Sequence, residues 1–186
     1  MSKIPVKPTS RQAIWAHVRT IRRSLGVEDK LYFDIVHFVE RVIPEVFPEF
    51  VFEICTEAEM GNLHGETIPS EHKIRIREDV YIGACEGKGR DRLTMAHEVG
   101  HFFMHDESSV VFCKVDPNEK IPHFRDPDWQ ADVFGGELLA PSYLINGMPV
   151  REIHEICAVS TACAERQLYA IECEKKKGFG IIPALF

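Results

Sequence analysis

Residues 90–104 place apolar side chains around most of a helical circumference. Leu93, Ala96, Gly100 and Phe103 lie on one side, and Met95, Val99 and Phe102 on another. A helix of this kind belongs inside a fold rather than on its surface. Yet its middle carries His97, Glu98 and His101. Burying three ionisable groups without partners is costly, so the rest of the chain must bring a partner to them. The plainest partners would be ordinary ones, two hydrogen-bonded core histidines and a salt-bridged glutamate. The spacing favours a more specific arrangement.

His97-Glu98-Val99-Gly100-His101 is an H-E-x-x-H motif. On a helix, positions i and i+4 lie about 40° apart around the axis and roughly 6 Å along it, so both imidazoles can converge on one ion. Zinc takes nitrogen ligands in tetrahedral geometry and, where it is catalytic, keeps one position for water. Glu98, next to His97, can reach that water as general base. A third protein ligand is still required. Metzincins place a histidine six residues after the second one, but here that position is Glu107. His105 lies one turn beyond His101, where the helix is expected to have ended. The better candidate is Asp128, in Asp128-Trp129-Gln130-Ala131-Asp132. This has the acid-x-x-small-acid form that thermolysin-type zincins present on a second helix. Asp128 would bind metal, and Asp132, on the same face, would accept the other imidazole N–H and fix its tautomer. A first-turn acid held by the helix dipole alone is the simpler reading of Asp128. Gly135 and Gly136 each cost the helix about 1 kcal/mol against Ala, and close approach to Gly100 would offset that cost.

The remaining sequence frames this centre. A first helix spans residues 9–24, capped by Thr9 or Ser10 and ended by Gly26, and a second runs from Glu28 to Ile43 and is closed by Pro44 and Pro48. Phe50–Cys55 is a strand, and Thr67–Ile68 with Lys73–Arg77 form a hairpin about residues 69–72. Residues 108–124 are irregular, with a strand at Val110–Cys113. Asp126–Pro127 starts the helix that Pro141 stops. Two more helices cover Val150–Cys157 and Thr161–Lys176, ahead of an apolar tail, Gly178–Phe186. The expected organisation is one domain over 1–186, with N-terminal helices in 1–45, a catalytic core in 50–140 and a helical pair in 149–177. The net charge of −7 and the absence of a basic block disfavour phosphate-driven nucleic-acid binding. No apolar run suggests a signal peptide or a membrane span. Six cysteines without C-x-x-C spacing fit a reducing cytoplasm, where most act as small buried hydrophobes.

Residues 90–102, Arg-Asp-Arg-Leu-Thr-Met-Ala-His-Glu-Val-Gly-His-Phe, resemble the core of the ImmA/IrrE family of metallopeptidases. Residues 129–141, Trp-Gln-Ala-Asp-Val-Phe-Gly-Gly-Glu-Leu-Leu-Ala-Pro, resemble its second motif in the expected order. The resemblance implies an α+β, mostly helical zincin-like fold with a small β-sheet, and zinc-dependent peptide hydrolysis. It matches His97 and His101 to the metal histidines, Glu98 to the catalytic glutamate and Asp128 to the third ligand. Members of the family act on helix-turn-helix repressors of mobile elements or stress responses, so a regulator or antitoxin-type protein is the expected partner. A non-proteolytic toxin or partner-binding module on the same scaffold is the alternative, and a metallohydrolase of small substrates a weaker one. Two positions depart from the family pattern. The third ligand is usually Glu, and Asp, one methylene shorter, requires a closer second helix or an intervening water. Ala158 stands where the family often has Gly.

Residues 150–168 also have the rhythm of a helix-turn-helix DNA reader. Arg166 is the only base on the would-be recognition helix near Glu165, so packing or partner docking is favoured. Tyr81, His64, His123 and Tyr143 are the candidate donors to an oxyanion.

Overall fold

A computed structural model describes residues 5–105 and 121–179. The expected strand at Val110–Cys113 and most of the apolar tail lie outside the described residues. Helix α1 (Arg11–Ser24) starts where Ser10 Oγ accepts from the Ala13 N–H at 3.2 Å, and it buries Ile14, Trp15 and Val18. Gly26, at φ 67°, turns the chain out of it. Arg22 is buried on the same helix and donates to the carbonyls of Leu138 (2.6 Å), Val27 (3.2 Å) and Lys30.

Those bonds correct the expected second helix. It begins at Ile35, not Glu28, with Asp34 accepting from the His37 N–H at 3.0 Å. Arg22 takes the carbonyls of Val27 and Lys30, and Arg92 donates to Phe33 O at 2.8 Å, so side chains hold the groups that helical N–H donors would have used. Nor does Pro44 end this helix. The chain runs through α2 (Ile35–His37), a π-helical turn (Phe38–Val42) and α3 (Ile43–Val46). In the π turn the Ile43 N–H reaches Phe38 O, which resets the ladder by one residue. Pro44, which has no N–H to give, then falls in the first turn of α3.

Strand β1 (Val51–Cys55), the short α4 (Glu57–Met60), β2 (Gly65–Ile68) and β3 (Lys73–Arg77) follow. The sheet order is β1-β3-β2. β1 runs parallel to β3 with Val51 opposite Lys73, and β2 pairs antiparallel to β3 with Gly65 opposite Ile76. The hairpin is as expected and turns through residues 69–72. Helix α5 (Glu78–Cys85), unforeseen in the sequence, leads to α6 (Gly89–Met104). After the undescribed stretch come α7 (Pro127–Leu139), α8 (Ser142–Ile145), α9 (Val150–Cys157) and α10 (Thr161–Lys176). The fold is α+β and mostly helical, with one small mixed sheet. No described helix is long and apolar enough to cross a membrane.

α6 is central, as its apolar circumference requires. Met95, Ala96 and Val99 are buried in a core shared with Ile74 and Ile76 of the sheet, Phe134 and Leu138 of α7, and Ile14 and Val18 of α1. Among the described elements, α6 and α7 form the most extensive pairing. Between α9 and α10, Ala158 sits at φ 50°, left-handed backbone that favours Gly. That is the physical content of its departure from the family pattern. Cys55, Cys157 and Cys163 are buried, as small hydrophobes are.

Glu137, in the last turn of α7, is fully buried. Ser142 donates to it from its backbone N–H at 3.0 Å and its hydroxyl at 2.9 Å, which ties the α7–α8 corner together. Burial pushes its carboxyl up to about 8, against the pull of Ser142, Arg22 and Gln167. A folded-state value raised above the unfolded one gives a contribution that is fully present below about pH 4.5 and is lost as pH rises towards 8. Urea unfolding of wild type and Glu137→Gln between pH 5 and 8 is expected to show the difference in stability, wild type minus variant, falling by up to about 1 kcal/mol per pH unit. Parallel profiles would show that Glu137 folds already ionised.

Candidate metal centre

The third turn of α6 presents His97 and the fourth presents His101, and their Nε2 atoms face each other at 3.0 Å. Asp128 comes from the first turn of α7, and its Oδ1 lies 3.5 Å from His101 Nε2. The capping of that helix is done by Asp126, whose Oδ1 accepts from the N–H of Asp128 at 3.0 Å and of Trp129 at 3.5 Å. Asp128 therefore turns its carboxylate towards the histidines. One ligand atom from each of His97, His101 and Asp128 lies within 4.8 Å of the other two, a group that could hold a metal ion.

The donor chemistry fits such an ion. Zinc–ligand bonds of about 2.0–2.1 Å in a tetrahedron put ligand atoms roughly 3.3 Å apart, between the two separations seen here. The outer nitrogen of each ring is already engaged. Asp132 Oδ1 lies 2.9 Å from His97 Nδ1, and Arg166 donates to the other Asp132 oxygen at 3.4 Å. His101 Nδ1 meets His105 Nδ1 at 3.0 Å. Burial, together with the charges of His97 and His105, pushes His101 down to about 3. Burial also works to lower His97, but its bond to Asp132 and the charges of Glu98, Asp132 and Asp128 outweigh this and raise it. The first acid of α7 thus lies beside His101 and the second beside His97. His105 is not in the ligand group; it backs His101 from behind.

Glu98 points into the same cleft, which is lined by Gly65, Glu66, Thr67, His97, Glu98, His101 and Asp128. It is 7% exposed. Burial raises its carboxyl, against the Thr67 bond and the charge of His97. The Thr67 hydroxyl lies 2.7 Å from Glu98 Oε2 and 3.0 Å from its backbone oxygen. Gly65 leaves room for the side chain, because a Cβ there would sit 2.8 Å from Glu98 Cγ. Neither Gly65 nor Thr67 was singled out in the sequence, since only the hairpin's docking on α6 brings them near. None of the four candidate oxyanion donors lines this cleft. The hydroxyls of Tyr81 and Tyr143 are spent on Glu40 (2.6 Å) and on Glu28 O (2.8 Å).

The glycines explain how a short aspartate reaches. A Cβ on Gly100 would lie 2.9 Å from Ala131 O, and one on Gly135 would lie 3.0 Å from Ala96 C and His97 N. The two helices meet backbone to backbone at these points, as expected for Gly100 and Gly135. Gly136 faces a different neighbour, since a Cβ there would lie 2.9 Å from Gln167 Oε1 of α10.

Paired histidines on a buried helix, a glutamate between them and an acid from a second helix define a zincin-like, metallopeptidase-type centre. The chain belongs to the family described as the IrrE N-terminal-like domain, Peptidase_M78, which residues 45–156 match. A search of curated proteins returned no match.

Substituting Gly135→Ala sets a new methyl against backbone atoms that cannot rotate away. Overpacking of about 1–3 kcal/mol should exceed the roughly 1 kcal/mol gained in helix propensity. Lower thermal stability and weaker metal retention against a chelator are expected together. A variant that is more stable and holds metal as tightly as wild type would show that α7 can shift without moving Asp128.

Proposed function

We propose that this chain is a zinc-dependent endopeptidase, that His97, His101 and Asp128 hold the ion, and that Glu98 is the general base. The observation that carries the reading is the convergence of two imidazole nitrogens and a carboxylate beside a buried glutamate. Bound zinc would polarise the scissile carbonyl and lower the pKa of an attacking water. Glu98 takes the proton of that water and delivers it to the departing amine. Its burial suits both halves of the task, since a carboxyl raised above its ordinary range holds a proton more readily than an exposed one. Thr67 holds the carboxylate in place through one oxygen and leaves the other for the proton. Asp132, steadied by Arg166, keeps the His97 ring in orientation.

β2 pairs only with β3 among the described residues, and three of its residues line the cleft. An extended peptide can add to such an edge through its backbone, which suits a protein substrate better than a small one. The substrate is read from the family resemblance, a helix-turn-helix regulator or antitoxin-type protein in the cytoplasm. The net charge of −7 favours a basic partner.

Glu98→Gln is expected to keep zinc, measured by elemental analysis, and to lose cleavage by roughly 10²–10⁴-fold. Cleavage at the wild-type rate would remove Glu98 from the role of base. Asp128→Ala is expected to lose zinc, and full occupancy in that variant would point to Asp132 or His105 as the third ligand.

The partner is tested by incubating the protein with the helix-turn-helix protein of the adjacent gene, with and without chelator. A fragment that the chelator suppresses is the expected result. A stable complex without any fragment would instead favour a sequestering module on the same scaffold.

A further inference from the structure

His101 differs from His97 in how its outer nitrogen is held. His97 leans on a carboxylate that is 45% exposed. His101 leans on another histidine, inside the protein. His105 caps the C-terminus of α6 and is 7% exposed, and its backbone N–H still donates to His101 O at 2.9 Å. Its Nδ1 lies 3.0 Å from His101 Nδ1, and its Nε2 lies 3.1 Å from Oε1 of Gln130. Gln130, on α7, is 1% exposed, and its Nε2 donates to Lys7 O at 2.9 Å and to Phe124 O at 2.8 Å.

The protons along this chain are determined from its far end. Two backbone carbonyls can only accept, so the Gln130 atom that faces them is the amide nitrogen, and its oxygen faces His105. That oxygen accepts, so His105 donates from Nε2. A neutral His105 then has a bare Nδ1, which accepts from His101 Nδ1–H. His101 is left with a bare Nε2, the atom turned towards His97 and Asp128. Reversing any one proton puts two donors or two acceptors face to face inside the fold, which is costly.

We propose that His105 and Gln130 are positioning residues that lock His101 in its Nδ1–H tautomer, with the Nε2 lone pair aimed into the metal centre. The inference rests on the reading that His97, His101 and Asp128 bind the metal. It extends the working unit beyond the matched residues 45–156. Lys7, which accepts the last hydrogen bond, belongs to a segment pinned by Val6 N–H to Arg125 O (3.0 Å) and Thr9 N–H to Phe124 O (2.9 Å).

The test uses the full-length protein with ¹⁵N-labelled histidine, free of metal at pH 8, and long-range ¹H–¹⁵N spectra that report which ring nitrogen carries the proton. His101 is expected to be protonated at Nδ1 and His105 at Nε2. A His101 protonated mainly at Nε2 overturns the proposal without any variant being made. Zinc affinity is then measured by competition with a chromogenic chelator. His105→Phe removes the acceptor and is expected to weaken zinc by about 10–100-fold. His105→Asn, whose Oδ1 takes the place of Nδ1, is expected to recover most of that loss, which a purely space-filling role would not predict. A folded His105→Phe with wild-type affinity and an unchanged His101 tautomer also overturns it. If the wild type takes up no zinc, the metal reading fails, and the tautomer spectrum alone still decides for or against the relay.

Discussion

The backbone contact between α6 and α7 is the constraint on which the site depends. Gly100 and Gly135 bring the two helices together until backbone atoms touch, and this has two consequences. It buries Met95, Ala96, Val99, Phe134 and Leu138 in one core. It also carries the first turn of α7 to within 3.5 Å of His101, where a two-carbon aspartate side chain is long enough. A longer acid on a more distant helix would serve the same end. Here the separation of the helices and the length of the third candidate ligand are matched through residues that have no side chain at all.

The helix that must be buried is also the one that carries charge, and the surrounding structure answers each charge separately. Asp132 and Arg166 attend to His97, the His105–Gln130 pair to His101, and Thr67 to Glu98. These partners come from β2, α7, α10 and the end of α6 itself. Buried polar networks contribute only when every member is satisfied. The same completeness that makes the helix tolerable in the core holds its side chains in orientations useful for metal chemistry.

What could be read in the sequence follows from how local each cause is. The H-E-x-x-H spacing, the Asp126–Pro127 start of α7 and the β2–β3 hairpin are all set within a few residues, and each stands where it was expected. The second helix starts later than periodicity predicts because side chains capture carbonyls of residues 27–33: Arg22 from the preceding helix and Arg92 from 59 positions away. Pro44 does not act as the stop that periodicity predicts, because periodicity does not show the π turn that shifts the ladder ahead of it. In the site, the three proposed ligands and Glu98 follow from spacing on two helices. Thr67 and Gly65 do not, because nothing short of the sheet's docking on α6 relates residues 31 positions apart.

Asp128 shows where local and non-local causes part. From sequence, an acid in a first helical turn needs no more than the positive end of the helix dipole. The structure separates the two roles, because Asp126 accepts the exposed N–H groups of the first turn and so does the capping. The Asp128 carboxylate lies with two imidazole nitrogens whose outer faces are already held. Two bare nitrogens 3.0 Å apart repel unless a cation stands near them. A metal ion would supply that cation, and the carboxylate of Asp128 is placed to stabilise it.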